Sequence, residues 1–304
     1  MKAKTGVLKT SGRHSRNRLP DQRTGLFEIV NGTLLVLTGI LMLIPFLHVL
    51  AGSLSSEFAI VSGKVTIFPV DFNLNSYRYI LSDLSLWRSF MVTVYITVTG
   101  VLFAMICTIL MAYPLSKPRL RARGGVLLAV LFVMIFGTPI IPFFLAVRGT
   151  GLLDNVHSLV IPSAINAFNL LVLKSFFENV PMELEESAKM DGANDFHILL
   201  RIFLSLSKPA LATIALFYAV EKWNSYYHAL LFISDHSLWP LQVKVRMLFT
   251  IEEQAGAFVE GIGYLNRDGI RYATIVFAMV PILFVYPFLQ KHFTKGVMLG
   301  SIKE

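Results

Sequence analysis

WRSFMVTVYITVTGVLFAMICTILMAYPLSKPRLRAR, residues 87–123, decides the fold. Its apolar part, residues 87–115, exceeds the roughly 20 residues that an α-helix needs to cross about 30 Å of hydrocarbon. A bilayer admits only helices or closed barrels, because every backbone polar group must be satisfied internally, and the run is far too long for a barrel strand. Immediately after it, Lys117, Arg119, Arg121 and Arg123 crowd an eight-residue connection, 116–123. Positive charge of this density beside a span marks the side that stays inside.

Working outward, apolar runs at about 26–51, 124–147, 156–177, 209–232 and 271–291 bring the expected spans to six. With the N-terminus inside, the inner segments 1–25, 116–123 and 178–208 carry seven, four and three Lys and Arg. The outer segments 52–86, 148–155 and 233–270 carry two, one and three. The short loops decide the orientation, since charge bias acts close to span ends. The sequence therefore predicts an all-α, polytopic transmembrane bundle with both termini cytoplasmic. Residues 1–25 are a basic tail, 26–291 one six-span membrane domain including a cytoplasmic loop at 178–208, and 292–304 a second tail.

Composition agrees: of 304 residues, 55% are hydrophobic and 15% charged, with a mean hydropathy of +0.64, against roughly 45–50% and about 25% in soluble domains. The net charge of +8 does not point to nucleic acid, because most of the cations flank apolar runs. Cys107 has no second cysteine for a disulfide or metal cluster. The run from 26 to 50 is much longer than the 7–15 residues of a signal-peptide core, so it reads as an uncleaved first span. Pro45, Pro114, Pro139, Pro142, Pro162, Pro281 and Pro287 lie inside the spans, where neighbouring helices can take up the freed carbonyls.

The loop between spans four and five, 178–209, is not a passive connector. Pro181 suits a first helical turn, Glu183, Glu185 and Glu186 set negative charge at its positive end, and Gly192 can stop it. Asn194 or Asp195 can cap a second short helix bearing Phe196, Leu199, Leu200 and Phe203, and Ser207 with Pro209 opens span five. Such a pair can seat in a groove on a soluble partner. The plainer reading is a helix lying on lipid, yet interfacial helices carry Lys and Arg, and this acidic one would be repelled by anionic headgroups.

Glu186-Ser187-Ala188, then Asp191-Gly192-Ala193, then residues 204–209 ending in Lys208-Pro209, resemble the EAA loop of permeases from binding-protein-dependent, ATP-driven importers. The likeness continues through Ala112-Tyr113-Pro114-Leu115-Ser116, Phe217 to Val220, Trp223-Asn224-Ser225 and residues 289–300. Together these are similar to the carbohydrate class, of maltose-type G permease or LplC/YtcP-like kind, which transports polymers or oligosaccharides. The resemblance implies a type I importer permease in a bacterial cell (inner) membrane, in which 186–193 form a coupling helix seated on the ATPase. Glu185 and Glu186 then belong to the ATPase-coupling set, with Ser187, Ala188 and Ala193 as small packing positions and Asp191-Gly192 as the turn. Where the family commonly has Pro, this chain has Ser205, which leaves the turn before span five less rigid.

No phosphate-binding Gly-x-x-x-x-Gly-Lys-Ser/Thr sequence occurs, so ATP and magnesium would sit on partner ATPase subunits. His-Glu-x-x-His and Gly-x-Ser-x-Gly are also absent, so no catalytic residue and no metal site is expected. In span five, Glu221, Asn224, Ser225 and His228 fall on one helical face, and charge inside a membrane is costly enough to signal function. They can line a solute path, with Trp223, Tyr226 and Tyr227 offering faces for sugar rings. Alternatively Glu221 pairs with a neighbouring helix, and the aromatics belong to the interfacial belt. Asn166 and Asn169 are open in the same way, as solute contacts or interhelical glue.

By resemblance, the outer loop 233–270, with Trp239, Phe249, Phe258 and Tyr264, meets an external solute-binding protein; the bland alternative is a cap over the bundle. The tail 295–303 either touches the ATPases or is an ordinary basic flank. The expected assembly holds this chain, a second permease, two ATPases and the binding protein. The competing reading is a self-sufficient secondary transporter driven by an ion gradient through Glu221, with broken helices at mid-membrane.

Overall fold

The computed structural model describes residues 25–254 and 267–300, and every regular element among the described residues is helical. The chain divides into one unit ending at Leu47 and another beginning at His48. Helix α1, Leu26–Ser53, supplies nearly all of the described first unit, with Pro45 inside it. There the hydroxyls of Thr33 and Thr38 donate back to the carbonyls of Ile29 and Leu34, at 2.8 Å each, a way of satisfying small polar side chains inside an apolar helix.

The second unit opens with two short helices, α2 (Glu57–Val61) and α3 (Asn75–Ser82), before its spine, α4 (Leu84–Ser116). Asp83 caps α4 by accepting the N–H groups of Ser85 and Leu86, at 2.8 and 3.4 Å. The buried residues of α4 are Leu86, Ser89, Thr93, Ile96, Gly100, Ala104, Thr108, Ala112, Leu115 and Ser116, and from Ser89 to Ala112 they form a stripe at helical spacing in which all but Ile96 are small. Lipid gives helices no hydrophobic reason to associate, so close approach over small side chains and hydrogen bonds must hold them. Met91, Val98, Leu102, Ile106 and Leu110, all exposed in the chain, point away from that stripe.

Past α4 the predicted third, fourth and fifth spans are broken. Span three divides into α5 (Arg123–Phe136) and α6 (Ile140–Gly149) around Gly137, whose φ of 63° lies in the left-handed region open to glycine. Span four begins as a 3₁₀ turn at Val156–Leu159, runs without regular structure to Asn166, and becomes helical as α7 (Ala167–Glu178). The loop then forms α8 (Met182–Met190), α9 (Asp195–Ile198), a π-helical turn at Leu199–Phe203 and α10 (Leu204–Leu206). Helix α11 (Lys208–Trp223) leaves at 85° to the segment Asp195–Leu206. After a break at 224–226 come α12 (Tyr227–Phe232), α13 (Leu241–Gln254) and α14 (Arg267–Gly300), which contains the predicted sixth span. By length and apolarity α1 and α4 can each cross a membrane alone, and the bent pair is a third candidate.

Three helices, α4, α7 and α11, enclose the main core, in which Ala104, Leu170, Leu173, Ile214 and Tyr218 are fully buried. Tyr218 is also its polar knot. Its hydroxyl lies 2.7 Å from that of Thr108 on α4 and accepts the N–H of Asn166 at 3.0 Å. At the opposite end, α14 rests on the last turn of α1, where a Cβ on Gly52 would stand 2.4 Å from the Tyr272 ring. Only glycine admits that approach. Truncating the knot by Tyr218→Phe leaves the Asn166 N–H without its acceptor, at a cost of about 1–3 kcal/mol; thermal unfolding in detergent is expected to show a lowered midpoint.

Candidate functional site

Two groups of residues stand out, one around α8 and one at the break between α11 and α12. Helix α8 starts after Pro181 and carries Glu183 and Glu185 in its first turn, where carboxylates complement the positive helix end. It stops at Gly192, which has a φ of 83°. There the Gly192 N–H donates to Lys189 O at 3.0 Å and the Ala193 N–H to Ala188 O at 2.9 Å, the paired bonds of a Schellman ending. Of the two capping residues proposed for the next helix, Asn194 takes the role, its Oδ1 accepting the His197 N–H at 2.8 Å. Ser205 lies inside α10, and the chain turns at Ser207, which is buried.

The acidic residues of α8 have different surroundings. Glu186, Ser187, Asp191 and Gly192 are exposed and Ala188 and Ala193 half-buried, whereas Glu185 is only 4% exposed. The Glu185 carboxylate is ion-paired with Lys117, Arg119 and Lys189. The Lys117 Nζ also sits 3.9 Å from the Phe203 ring centre and 4.6 Å from that of Tyr113, so two aromatic faces add to its attraction. Beside this cluster, Glu178 at the end of α7 pairs with Arg123 and Lys174, while the Arg123 Nε donates to Leu115 O at 2.9 Å. Three of the four cations read as orientation signals are thus engaged by the loop they face. Burial acts to raise the Glu185 pKa, but hydrogen bonds from Lys117 and Lys189 outweigh it and hold the group below its ordinary 4.5. Burial lowers the Lys117 pKa despite its bond to Glu185.

At the second group, Glu221, Asn224, Ser225 and His228 border one cavity of about 200 Å³, with Ser163, Lys222, Tyr226 and Tyr227 completing its wall. The polar stripe is therefore brought together, although by a helix break rather than by one continuous helical face. Glu221 pairs with its neighbour Lys222 at 3.7 Å and keeps 42% of its side chain exposed. Lys222 is 3% exposed; its Nζ donates to the carbonyls of Leu159 and Ser163 at 3.2 and 3.3 Å, and to the Ser163 hydroxyl. Its stem runs past Gly100, where a Cβ would come within 3.1 Å.

Asn166 and Asn169 do not border this cavity. Asn166 caps α7, its Oδ1 accepting the N–H groups of Phe168 and Asn169, and Asn169 is buried. Trp223 is likewise packed inside, its Nε1 donating to Ala278 O at 3.3 Å. Sequence reasoning missed Ser163 and Gly100 as companions of Lys222. A lysine within an apolar run was the available signal, but its partners are 59 or more residues away in the chain.

In the loop after α12, Trp239 packs on His236 with ring centres 3.9 Å apart and its Nε1 donates to Ile233 O at 2.9 Å. Both border a cavity of about 570 Å³ with Tyr79, Asp83 and Lys244. Phe258 and Tyr264 lie outside the described residues, as does the tail from 301.

A helical bundle with broken membrane-length segments and an ion-paired loop helix fits a membrane transport component. Residues 100–299 match the model of the family described as "Binding-protein-dependent transport system inner membrane component", and the chain belongs to that family. It is 43% identical, over 91% of its length and 98% of the relative's, to the polygalacturonan/rhamnogalacturonan transport system permease protein YtcP of Bacillus subtilis. It is equally 43% identical to protein LplC of the same organism, over 91% and 95% of the two chains. Among solved structures, a chain from a bacterial ABC transporter involved in the import of the acidic polysaccharide alginate superposes with a TM-score of 0.83 at 36% identity, covering 90% of this chain and 98% of that one. The comparisons support an ATP-driven importer permease and give no support to the ion-gradient alternative.

Because the Glu185 pKa is lowered on folding, its contribution to stability is present above 4.5 and is lost as pH falls through the lower folded value. The melting difference between wild type and Glu185→Gln is expected to be constant from about pH 6 to 8 and to close in acid below the ordinary glutamate range, as differential scanning fluorimetry at stepped pH can measure. At the other site, Lys222→Met removes hydrogen bonds worth about 1.5–3 kcal/mol each when one partner is charged. It also removes a costly buried cation. Uptake is expected to fall by about tenfold or more while the amount of folded protein in the membrane is kept, as paired uptake and immunoblot measurements would reveal.

Proposed function

We propose that this chain is one permease half of an ATP-binding-cassette importer for carbohydrate, an oligosaccharide derived from a larger polymer. The observation that carries the proposal is α8, an acidic helix with a glycine ending and a base fixed by ions, in a chain that matches the importer family over residues 100–299. In this reading the apolar runs make six spans, α5 with α6 and α11 with α12 being broken ones, and both termini are cytoplasmic. Residues 1–25 and 292–304 are tails of a single permease domain in the bacterial inner membrane, with the coupling loop at 178–208.

The exposed part of α8 docks in a cleft of a separate ATPase. Glu186 is the charged contact, Ser187, Ala188 and Ala193 permit close approach, and Asp191 and Gly192 form the turn. ATP and magnesium are held by two such ATPase subunits, which do the hydrolysis; the chain itself has no catalytic or metal-binding role. A second permease chain faces this one, and an external solute-binding protein delivers the sugar near Trp239 and the loop 233–270. Rigid-body movement of the helices then alternates access to the cavity at Glu221, Asn224, Ser225 and His228. The cavity is about 200 Å³, smaller than the roughly 300–1,000 Å³ of a ligand pocket, so in this reading the second permease supplies the rest of its wall. The substrate class rests on the relatives, which include permeases named for polygalacturonan/rhamnogalacturonan and arabinooligosaccharide transport.

Reconstitution with the second permease, ATPases and binding protein is expected to give oligosaccharide uptake that requires ATP. Glu186→Lys and Gly192→Pro should each abolish it and weaken co-purification of the ATPases while membrane insertion persists. Normal uptake by both variants would refute the docking assignment, and uptake by this chain alone on an ion gradient would refute the importer reading.

A further inference from the structure

We propose that Glu185 is a positioning residue that locks the coupling helix α8 to the end of α4, making the connection 117–123 the permease's own half of the coupling device. This rests on the importer reading, in which α8 meets the ATPase. Glu185 and Glu186 are adjacent in sequence but face different ways: Glu186 is exposed, and Glu185 is only 4% exposed. A carboxylate so enclosed is unavailable to another chain. Its charge is instead balanced by Lys117 and Arg119, which follow α4, and by Lys189 one turn along α8.

Lys117 makes the lock rigid rather than merely attractive. It is the residue that ends α4, with its backbone N–H donating to Pro114 O at 3.1 Å, so its ammonium has little freedom to follow α8 without α4. The same ammonium lies over Tyr113 of α4 and Phe203 of the π-helical turn, and these two rings meet edge to face at 5.0 Å. The Phe203 ring in turn contacts Phe177 of α7, with centres 5.6 Å apart. One cation therefore joins the end of α4 to both halves of the loop, and α4 carries Thr108 beside Tyr218 in the core and Gly100 beside Lys222 at the other group of residues. Displacement of α8 by a docked ATPase has a direct mechanical route into α4, whose Gly100 lies against the Lys222 side chain that lines the cavity.

The test uses the whole reconstituted complex and follows ATP-driven uptake, ATP hydrolysis and ATPase co-purification together. Glu185→Gln keeps the shape of the side chain and removes its charge. Its uptake per ATP hydrolysed is expected to fall by about tenfold, with the ATPases still bound and still hydrolysing. In a Cys107→Ser background, Lys117→Cys with Glu185→Cys should be similarly uncoupled, and joining the two thiols with a short bis-maleimide should restore uptake. A residue needed only for folding would gain nothing from the cross-link. Wild-type uptake by Glu185→Gln, loss of the ATPases from that variant, or failure of the cross-link to restore coupling would each overturn the proposal. Failure of the importer reading itself would appear separately, as no ATP-dependent uptake by the unaltered complex.

Discussion

In hydrocarbon a backbone N–H or C=O has no water to bond, so each interruption of a helix must be satisfied by the protein itself. The remainder of this structure follows from that constraint. The irregular stretch before α7 is held at Leu159 O and Ser163 O by the Lys222 ammonium and at the Asn166 N–H by the Tyr218 hydroxyl. Asn166 closes the start of α7 with its own side chain. Polar residues that look out of place in apolar runs are the partners of backbone groups that a continuous helix would have satisfied.

The same economy explains the composition of α4. A helix that must lie against α7 and α11, and admit the Lys222 stem and the Tyr218 ring between them, cannot present large side chains there. Gly100, Ala104, Thr108 and Ala112 meet that requirement, and the bulky residues of α4 turn the other way. Association then relies on close van der Waals contact and on hydrogen bonds such as Thr108 to Tyr218.

Where the chain leaves the apolar part of α4, charge takes over from packing. Lys117, Arg119 and Arg123 bind Glu185 and Glu178, so a basic connection legible as an orientation signal also holds the loop opposite it. The two uses are compatible, because positive charge beside a span biases its orientation and can still pair with the carboxylates of the folded loop.

The sequence by itself determined the all-α class, the places of the six apolar runs, the ends of α8 at Pro181 and Gly192, and the family resemblance carried by residues 186–193. These are local properties: apolar length, helix-end chemistry and motif spacing act within a few residues of one another. Only the tertiary structure decided that Glu185 turns inward while Glu186 stays exposed, since the two share composition and differ by one step around a helix whose neighbours are distant in sequence. It also decided that three runs are broken and that Asn166 is a cap while Glu221, Asn224, Ser225 and His228 share a cavity. A break is stabilised where remote groups such as Lys222 or Tyr218 satisfy the backbone it frees, and those contacts span 52 or more residues.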